Sequence, residues 1–313
     1  MKQIEIMKTF FPKERISSGI ITSRTWGTFA VILAFLAMTV THGLAQSTAP
    51  QAANASVPKP DDVKPTPEQQ SIIAANTAVP CDQPAVKIDA NFKNRGTLNP
   101  NFAKPDGRFM DKHQEFLARG KQGPIGILFL GDSITEGWNK SGENVWKDYV
   151  EKYRAANFGI GGDRTQHVLW RIQNGELDGI SPKVVILMIG TNNIRYSAGE
   201  ILKGDLKIVE MIHAKLPNSK LLVLGIFPRA FPRSDDPAKG RVKADREKIQ
   251  TVNQGLAKLE DGSKTRYLDI GGHFLDTSGN IPKEIMPDGL HPNEAGYQIW
   301  STAMQPLLDE MMK

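Results

Sequence analysis

Ile125-Gly126-Ile127-Leu128-Phe129-Leu130 runs directly into Gly131-Asp132-Ser133-Ile134-Thr135. The apolar run is short and bounded by Pro124 and Gly131, which predicts a buried strand rather than a helix. At its carboxyl end the chain turns at a glycine and presents a serine. In open α/β sheets ligands bind beyond the carboxyl ends of the strands, so Ser133 stands where a nucleophile is useful. A serine after a strand is equally the N-cap of a following helix. The reading therefore depends on what else converges on that point.

Outward from this stretch the pattern alternates. A helix is predicted over Phe109 to Arg119, before the strand. After Ser133 come a helix over Val145 to Tyr153, a strand over Ala155 to Phe158, and a helix over Thr165 to Asn174 that stops at Gly175. Val184 to Ile189 reads as a buried strand, Ile201 to Leu216 as an amphipathic helix, and Leu221 to Ile226 as a fourth strand. A Pro- and Arg-rich loop, a helix near Asp245 to Leu259, a strand at Arg266 to Ile270 and a last helix opening at Pro292 complete the chain. Strands alternating with helices define an α/β fold, a parallel sheet of about five strands covered on both faces. One folded domain, residues 85–313, is expected.

The N-terminal part reads differently. Residues 1–45 carry five basic and two acidic side chains, a net +3 out of the chain's +5, leaving +2 for the remainder. That balance gives no reason to expect nucleic acid or an anionic membrane as a partner. The basic stretch leads into the apolar run Trp26 to Val40, with small residues Gly43 and Ala45 before Gln46, the pattern of a secretory signal. An uncleaved anchor is the alternative, but the run is shorter than the roughly 20 residues of a spanning helix. The predicted address is periplasmic or extracellular, without stable membrane insertion after cleavage. Residues 46–84, rich in Pro, Ala and Gln and without apolar periodicity, are expected to be a tether. The single cysteine, Cys81, forms no intramolecular disulfide.

Three strands end in polar or glycine-rich turns: Ser133 after the first, Gly162 after the second, Asn192 after the third. In a parallel sheet these turns share one edge, as does Asp288-Gly289-Leu290-His291 before the last helix. A serine hydroxyl needs a base within reach, which His291 supplies. Asp288, three residues earlier, reaches the other ring nitrogen and fixes the tautomer. The oxyanion of acyl transfer needs preorganised donors. Ser133 N–H, Gly162 N–H and the Asn192 side-chain amide are the candidates.

These residues resemble a known family. Gly-Asp-Ser, Gly-Gly-Asp, Gly-Thr-Asn-Asn and Asp-x-x-His-Pro look like the four sequence blocks of the SGNH (GDSL-type) hydrolases. Asn157 to Asp163, Gln166 to Arg171 and Gly190 to Asn193 are especially similar to the platelet-activating-factor acetylhydrolase catalytic-subunit branch. The likeness covers about residues 125–310, with Ile134 where the family name has leucine. It implies a flavodoxin-like α/β/α fold and a carboxylic ester hydrolase. In that reading Ser133 is the nucleophile, Asp288 and His291 the acid–base pair, and Gly162 and Asn192 oxyanion donors. No cofactor or metal is implied.

Among the other histidines, His42 leaves with the signal and His213 reads as structural. His167 is a candidate supporting residue, and His113 and His273 read as surface or capping residues. Asp132, Asp163 and Asn193 are read as substrate contacts; Trp138 and Trp170 either stack on a sugar ring or enter the core. Arg229 and Arg233 either meet an acidic substituent or are solvated. Rival readings fare worse. The Gly159-to-Gly162 turn has Arg164 where a dinucleotide fingerprint needs its third glycine. Asp132 lacks the acidic companions of a phosphorylated aspartate, and no zinc-type His or Cys spacing occurs. A non-catalytic glycan-binding module would leave five converging polar groups to coincidence. The resemblance, with a secretory address, implies a short-chain esterase, acetyl foremost, acting on O-acetylated carbohydrate or another small ester; lysophospholipase or thioesterase activity is the runner-up.

Overall fold

A computed structural model describes residues 79–87, 107–230 and 239–313. The signal (1–45), most of the tether, His42 and Arg233 lie outside the described residues. The elements used below are α1 (Gly107–Lys121), β1 (Ile127–Gly131), α2 (Ser133–Glu136), α3 (Glu143–Tyr153), β2 (Ala156–Gly159) and α4 (Thr165–Gln173). They continue with β3 (Val184–Met188), α5 (Ala198–Lys215), β4 (Lys220–Leu224), α6 (Lys239–Leu256), β5 (Thr265–Leu268) and α7 (Glu294–Met311).

The five strands form one sheet in the order β2-β1-β3-β4-β5. Every neighbouring pair is parallel, with Leu128 opposite Ala156, Phe129 opposite Ile186, Ile186 opposite Leu222 and Leu222 opposite Arg266. Both faces of β1 and β3 are buried, which is why they read as unbroken apolar runs. Alternate side chains nonetheless go to different layers. Leu128, Leu130, Val185 and Leu187 pack with Phe109 of α1, Val168 and Ile172 of α4, Ile208 of α5 and Val252 of α6. Ile127, Phe129, Val184 and Ile186 pack with Trp146 and Tyr149 of α3 and Trp300, Met304 and Leu308 of α7. The result is the expected three-layer α/β/α architecture.

In this order the chain leaves β1 for β2 on one side and crosses back to β3 on the other. The carboxyl ends of β1 and β3 therefore flank the switch point where doubly wound sheets open a crevice. Tight packing maintains the turn there. A side chain on Gly131 would sit 2.4 Å from the Met188 carbonyl oxygen and 2.2 Å from Thr135 Oγ1. One on Gly159 would sit 2.3 Å from the Glu136 nitrogen. Glycine is required at both positions by close approach rather than by backbone angle.

Three expectations need correction. Pro292 is not the first residue of the last helix: Asn293 is the N-cap, its side chain accepting from Gly296 N at 3.2 Å. His113 is not a surface residue but is buried, with Nε2 donating to the Asn174 carbonyl at 3.2 Å and its ring edge on Trp170. Residues 79–84, expected in the tether, lie against the folded body. Gln166 Nε2 donates to Val79 O at 2.8 Å, Thr165 Oγ1 donates to Cys81 O at 2.8 Å, and Cys81 is fully buried. His213, read as structural, bonds Thr265 Oγ1 at 2.9 Å.

Candidate active site

Asp132 caps α2, its Oδ1 accepting from Ile134 N at 3.0 Å, and this turn projects Ser133 from the end of β1. The Ser133 hydroxyl meets His291 Nε2 at 2.9 Å. The other ring nitrogen, Nδ1, meets Asp288 Oδ2 at 2.6 Å. A carboxylate only accepts, so Nδ1 carries the proton and Nε2 is left to accept from the serine. Asp288 Oδ1 also takes the N–H groups of Leu290 (2.9 Å) and His291 (2.8 Å), so one carboxylate shapes the loop and holds the ring. Partial burial pushes the Asp288 carboxyl up, but the His291 N–H, its imidazole and the Leu290 N–H outweigh that and hold it below the usual range. The loop is fixed from outside by Ala230 N donating to Gly289 O at 2.7 Å.

Gly162, in the turn after β2, is exposed, with φ +76°. Among the described residues none accepts from its N–H. Asn192, in the 3-10 turn Thr191–Asn193 after β3, donates from Nδ2 to Asp163 O at 2.8 Å and lies 3.5 Å from Asp132 Oδ2. The amide has two hydrogens: one fixes its plane on Asp163 O, and the other makes only the long contact to Asp132 Oδ2, for which a developing oxyanion competes. The arrangement offers a hydroxyl hydrogen-bonded to an imidazole, with N–H donors on loops after β1, β2 and β3. That is the equipment of acyl transfer through a tetrahedral intermediate.

Of the five side chains weighed as substrate contacts, Asp132, Asp163, Asn193 and Trp138 are buried and Trp170 is half-buried. Trp138 is 0% exposed, enclosed by Phe129, Trp146, Tyr149, Tyr297 and Trp300. Asp132 is buried at the N-cap. Asp163 is buried against Arg171, whose Nε donates to Oδ2 at 3.0 Å. Asn193 is buried, its Oδ1 accepting from Thr165 N at 3.1 Å and its Nδ2 donating to Gln166 Oε1 at 2.8 Å. Trp170 is half-buried on Phe109 and His113. Small polar residues beside a glycine turn look alike in sequence whether they face the cleft or brace it. Arg229 likewise is buried, donating to Thr191 O at 2.8 Å and facing Asp245 at 3.6 Å.

The bracing is extensive. Arg171, fully buried, donates Nη2 to Gly131 O at 3.2 Å and Nη1 to Phe158 O at 3.1 Å, and pairs with Glu176. It thereby ties the ends of β1 and β2 to Asp163. Burial lowers its basicity, but Glu176 and Asp163 more than restore it and raise it above the ordinary value. Burial pushes the Asp163 carboxyl up against the pull of Arg171 and Lys87. Glu136, missed in the sequence although it ends the motif's own turn, accepts from Gly161 N at 2.9 Å and pairs with Arg108 and Lys140. His167 accepts at Nδ1 from Arg164 N (3.0 Å), and burial, with the nearby Lys87, Arg164 and Arg171 charges, lowers it to about 3. It is a neutral brace at the start of α4.

Comparison with known proteins now defines the class. Residues 129–299 match the GDSL-like lipase/acylhydrolase family, and the chain belongs to that family. It is an ester-hydrolysing enzyme. It is 35% identical over 204 residues to platelet-activating factor acetylhydrolase IB subunit alpha1 of Bos taurus, covering 65% of this chain and 83% of the relative. To subunit alpha2 of Rattus norvegicus it is 35% identical over 209 residues, covering 66% and 86%. The crystal structure of a GDSL-like lipase from Bacteroides thetaiotaomicron shares the fold, with a TM-score of 0.51 at 19% identity over 63% of this chain and 97% of that one.

Proposed function

We propose that this chain is an exported serine esterase that releases short acyl groups, acetate first among them, from O-acetylated carbohydrate. The observation that carries the chemistry is the unbroken line from Ser133 Oγ through the His291 ring to Asp288. As the Ser133 oxygen attacks the ester carbonyl, its proton passes to His291 Nε2. The oxygen that becomes negative is received by the N–H groups of Ser133 and Gly162 and by Asn192 Nδ2. Collapse expels the alcohol, which takes the proton from His291. A water molecule then repeats the sequence on the acyl-serine, giving the free acid and restoring the hydroxyl.

Acetyl as the acyl group is supported by the relatives, whose names make them acetylhydrolases and whose lengths this chain largely spans. The carbohydrate half rests on address: residues 1–45 have the composition of an export signal, which brings acetylated polysaccharide within reach. Among the described residues no helix is long and apolar enough to cross a membrane. An N-terminal anchor left uncleaved at residues 26–40 is the alternative form of the same address.

Hydrolysis of p-nitrophenyl acetate against the octanoate ester, by the full chain and by Ser133→Ala, tests the reading. Acetate preference that disappears in Ser133→Ala, with acetate released from acetylated xylan, supports it. Preference for octanoate replaces it with a lysophospholipase or thioesterase. Activity surviving in Ser133→Ala removes the nucleophile. N-terminal sequencing of the exported chain tests cleavage near Ala45.

A further inference from the structure

The peptide joining Gly161 to Gly162 is held at both ends of its dipole. Its N–H, the Gly162 N–H, faces the reacting oxygen in the reading above. Its C=O, on Gly161, accepts a hydrogen bond from the Lys87 ammonium. A peptide is planar, and its N–H and C=O point in opposite directions. Anchoring the oxygen therefore aims the N–H, and a cation on the oxygen polarises the amide into a stronger donor.

Lys87 is built into this position. Its side chain is only 16% exposed and its Nζ also faces Asp163 Oδ1 at 3.6 Å. A Cβ on Gly162 would come within 3.2 Å of that Nζ, so the ammonium lies directly under the turn. Lys87 arrives on the segment 79–87. That segment is pinned by Gln166 Nε2 to Val79 O (2.8 Å), Thr165 Oγ1 to Cys81 O (2.8 Å), Asn193 Nδ2 to Cys81 Sγ (3.1 Å) and Ala85 N to Gln166 O (3.0 Å). The anchoring side chains Thr165 and Gln166 come three and four residues after Gly162, and Asn193 directly follows Asn192. The same loops thus donate to the site on one side and grip the segment on the other. Glu136 completes the clamp, taking Gly161 N at 2.9 Å. None of this segment lies within residues 129–299, which match the family.

We propose that Lys87 is a positioning residue for ester hydrolysis, orienting and polarising the Gly161–Gly162 peptide so that the Gly162 N–H receives the oxyanion. The inference rests on the reading of Gly162 as a donor. Removing the ammonium leaves the donor in place but unaimed, so the loss is expected below the hundred- to thousandfold of a deleted donor, about ten- to a hundredfold in kcat.

The test is kcat and KM for p-nitrophenyl acetate in full-length Lys87→Met and Lys87→Arg, with thermal melts of each. Expected are a kcat loss of about ten- to a hundredfold in Lys87→Met with KM within about threefold, and recovery of most of it in Lys87→Arg. Inhibition by phenylboronic acid, which forms a tetrahedral anion on the serine, should weaken by the same factor as kcat falls. A purely structural role would lower the melt and leave the boronate constant of the folded fraction unchanged, which overturns the proposal. So does a Lys87→Met enzyme with the parent kcat, or one whose loss lies wholly in KM. Asn192→Ala separates the two layers of argument. If it costs activity and Lys87→Met does not, only the Lys87 inference falls. If neither matters while Ser133→Ala is inactive, the oxyanion reading itself fails.

Discussion

The main-chain oxygen of Asp163 accepts a hydrogen bond from Nδ2 of Asn192 at 2.8 Å, joining the loop after β2 to the loop after β3. The bond fixes the amide plane, so the second N–H hydrogen of Asn192 has a set direction rather than a choice of rotamers. Asn192→Ala should lower kcat about a hundred- to a thousandfold with little change in KM. Asn192→Asp should fall at least as far, because it adds a negative charge where charge develops and beside Asp132. Steady-state kinetics on p-nitrophenyl acetate decide it; a loss confined to KM would assign Asn192 to binding instead.

Asp288 gives a second test. An asparagine there can still accept the Leu290 and His291 N–H groups through its oxygen, so the loop should persist. Its amide would face the His291 Nδ1–H with a donor, favouring the wrong tautomer. Asp288→Asn is expected to lose about a hundredfold in kcat, the lower end for such a role, because the Asp288 side chain is 42% exposed and water can substitute in part. Parent-like circular dichroism with that loss fits; parent-like kinetics would remove Asp288 from the reaction.

Burial, reinforced by the Asp163 charge and opposed by the Ile134 N–H and Lys87, raises the Asp132 carboxyl to about 7. An unfolded aspartate titrates near 4, so between about pH 4 and 7 the native state holds a proton the unfolded state has lost. Stability from this group is therefore greatest at the acidic end, declines as pH rises through that window, and is level above it. Asp132→Asn keeps the capping oxygen and removes the titration. Denaturant unfolding at pH 5 and pH 8 should differ by up to about 3 kcal/mol less in Asp132→Asn than in the parent. The difference shrinks rather than vanishes, since burial also raises Asp163 and Asp205. An unchanged difference would mean that Asp132 stays ionised.

Trp138 separates core from cleft. With the ring enclosed by five aromatic side chains, Trp138→Ala should cost about 3–5 kcal/mol in denaturant unfolding. Trp138→Phe should leave KM for a sugar acetate unchanged. A raised KM at parent stability would return this residue to the substrate.

What could be read from the chain follows the physics of each region. Ile127–Gly131 and Val184–Met188 are buried on both faces, so their strands are plain as continuous apolar runs ending at glycine. Ser133, Gly162, Asn192, Asp288 and His291 were recognisable because parallel strands send all their carboxyl-end turns to one edge. Burial of polar residues was not legible: Asp132, Asp163, Asn193 and Arg229 carry the same letters whether they meet substrate or a neighbouring loop. The segment 79–87 was missed for another reason. It is held largely through its backbone oxygens, Val79 O and Cys81 O, which leave no trace in side-chain periodicity. Pro292 suggests a helix start two residues too early because the Asn293 side chain, not the proline, closes the first turn.

Ser133 and His291 belong to opposite ends of the folded chain, the first following β1 and the second preceding α7. Activity is therefore a late event in the life of each molecule. During synthesis the serine leaves the ribosome long before its base exists, and no shortened chain ending before residue 291 can hydrolyse an ester by this route. In refolding, ester turnover should trail the recovery of helical signal, because it waits on a contact between residues 158 apart in the chain. A simple colour assay thus reads the completion of the whole sheet rather than the formation of any part of it.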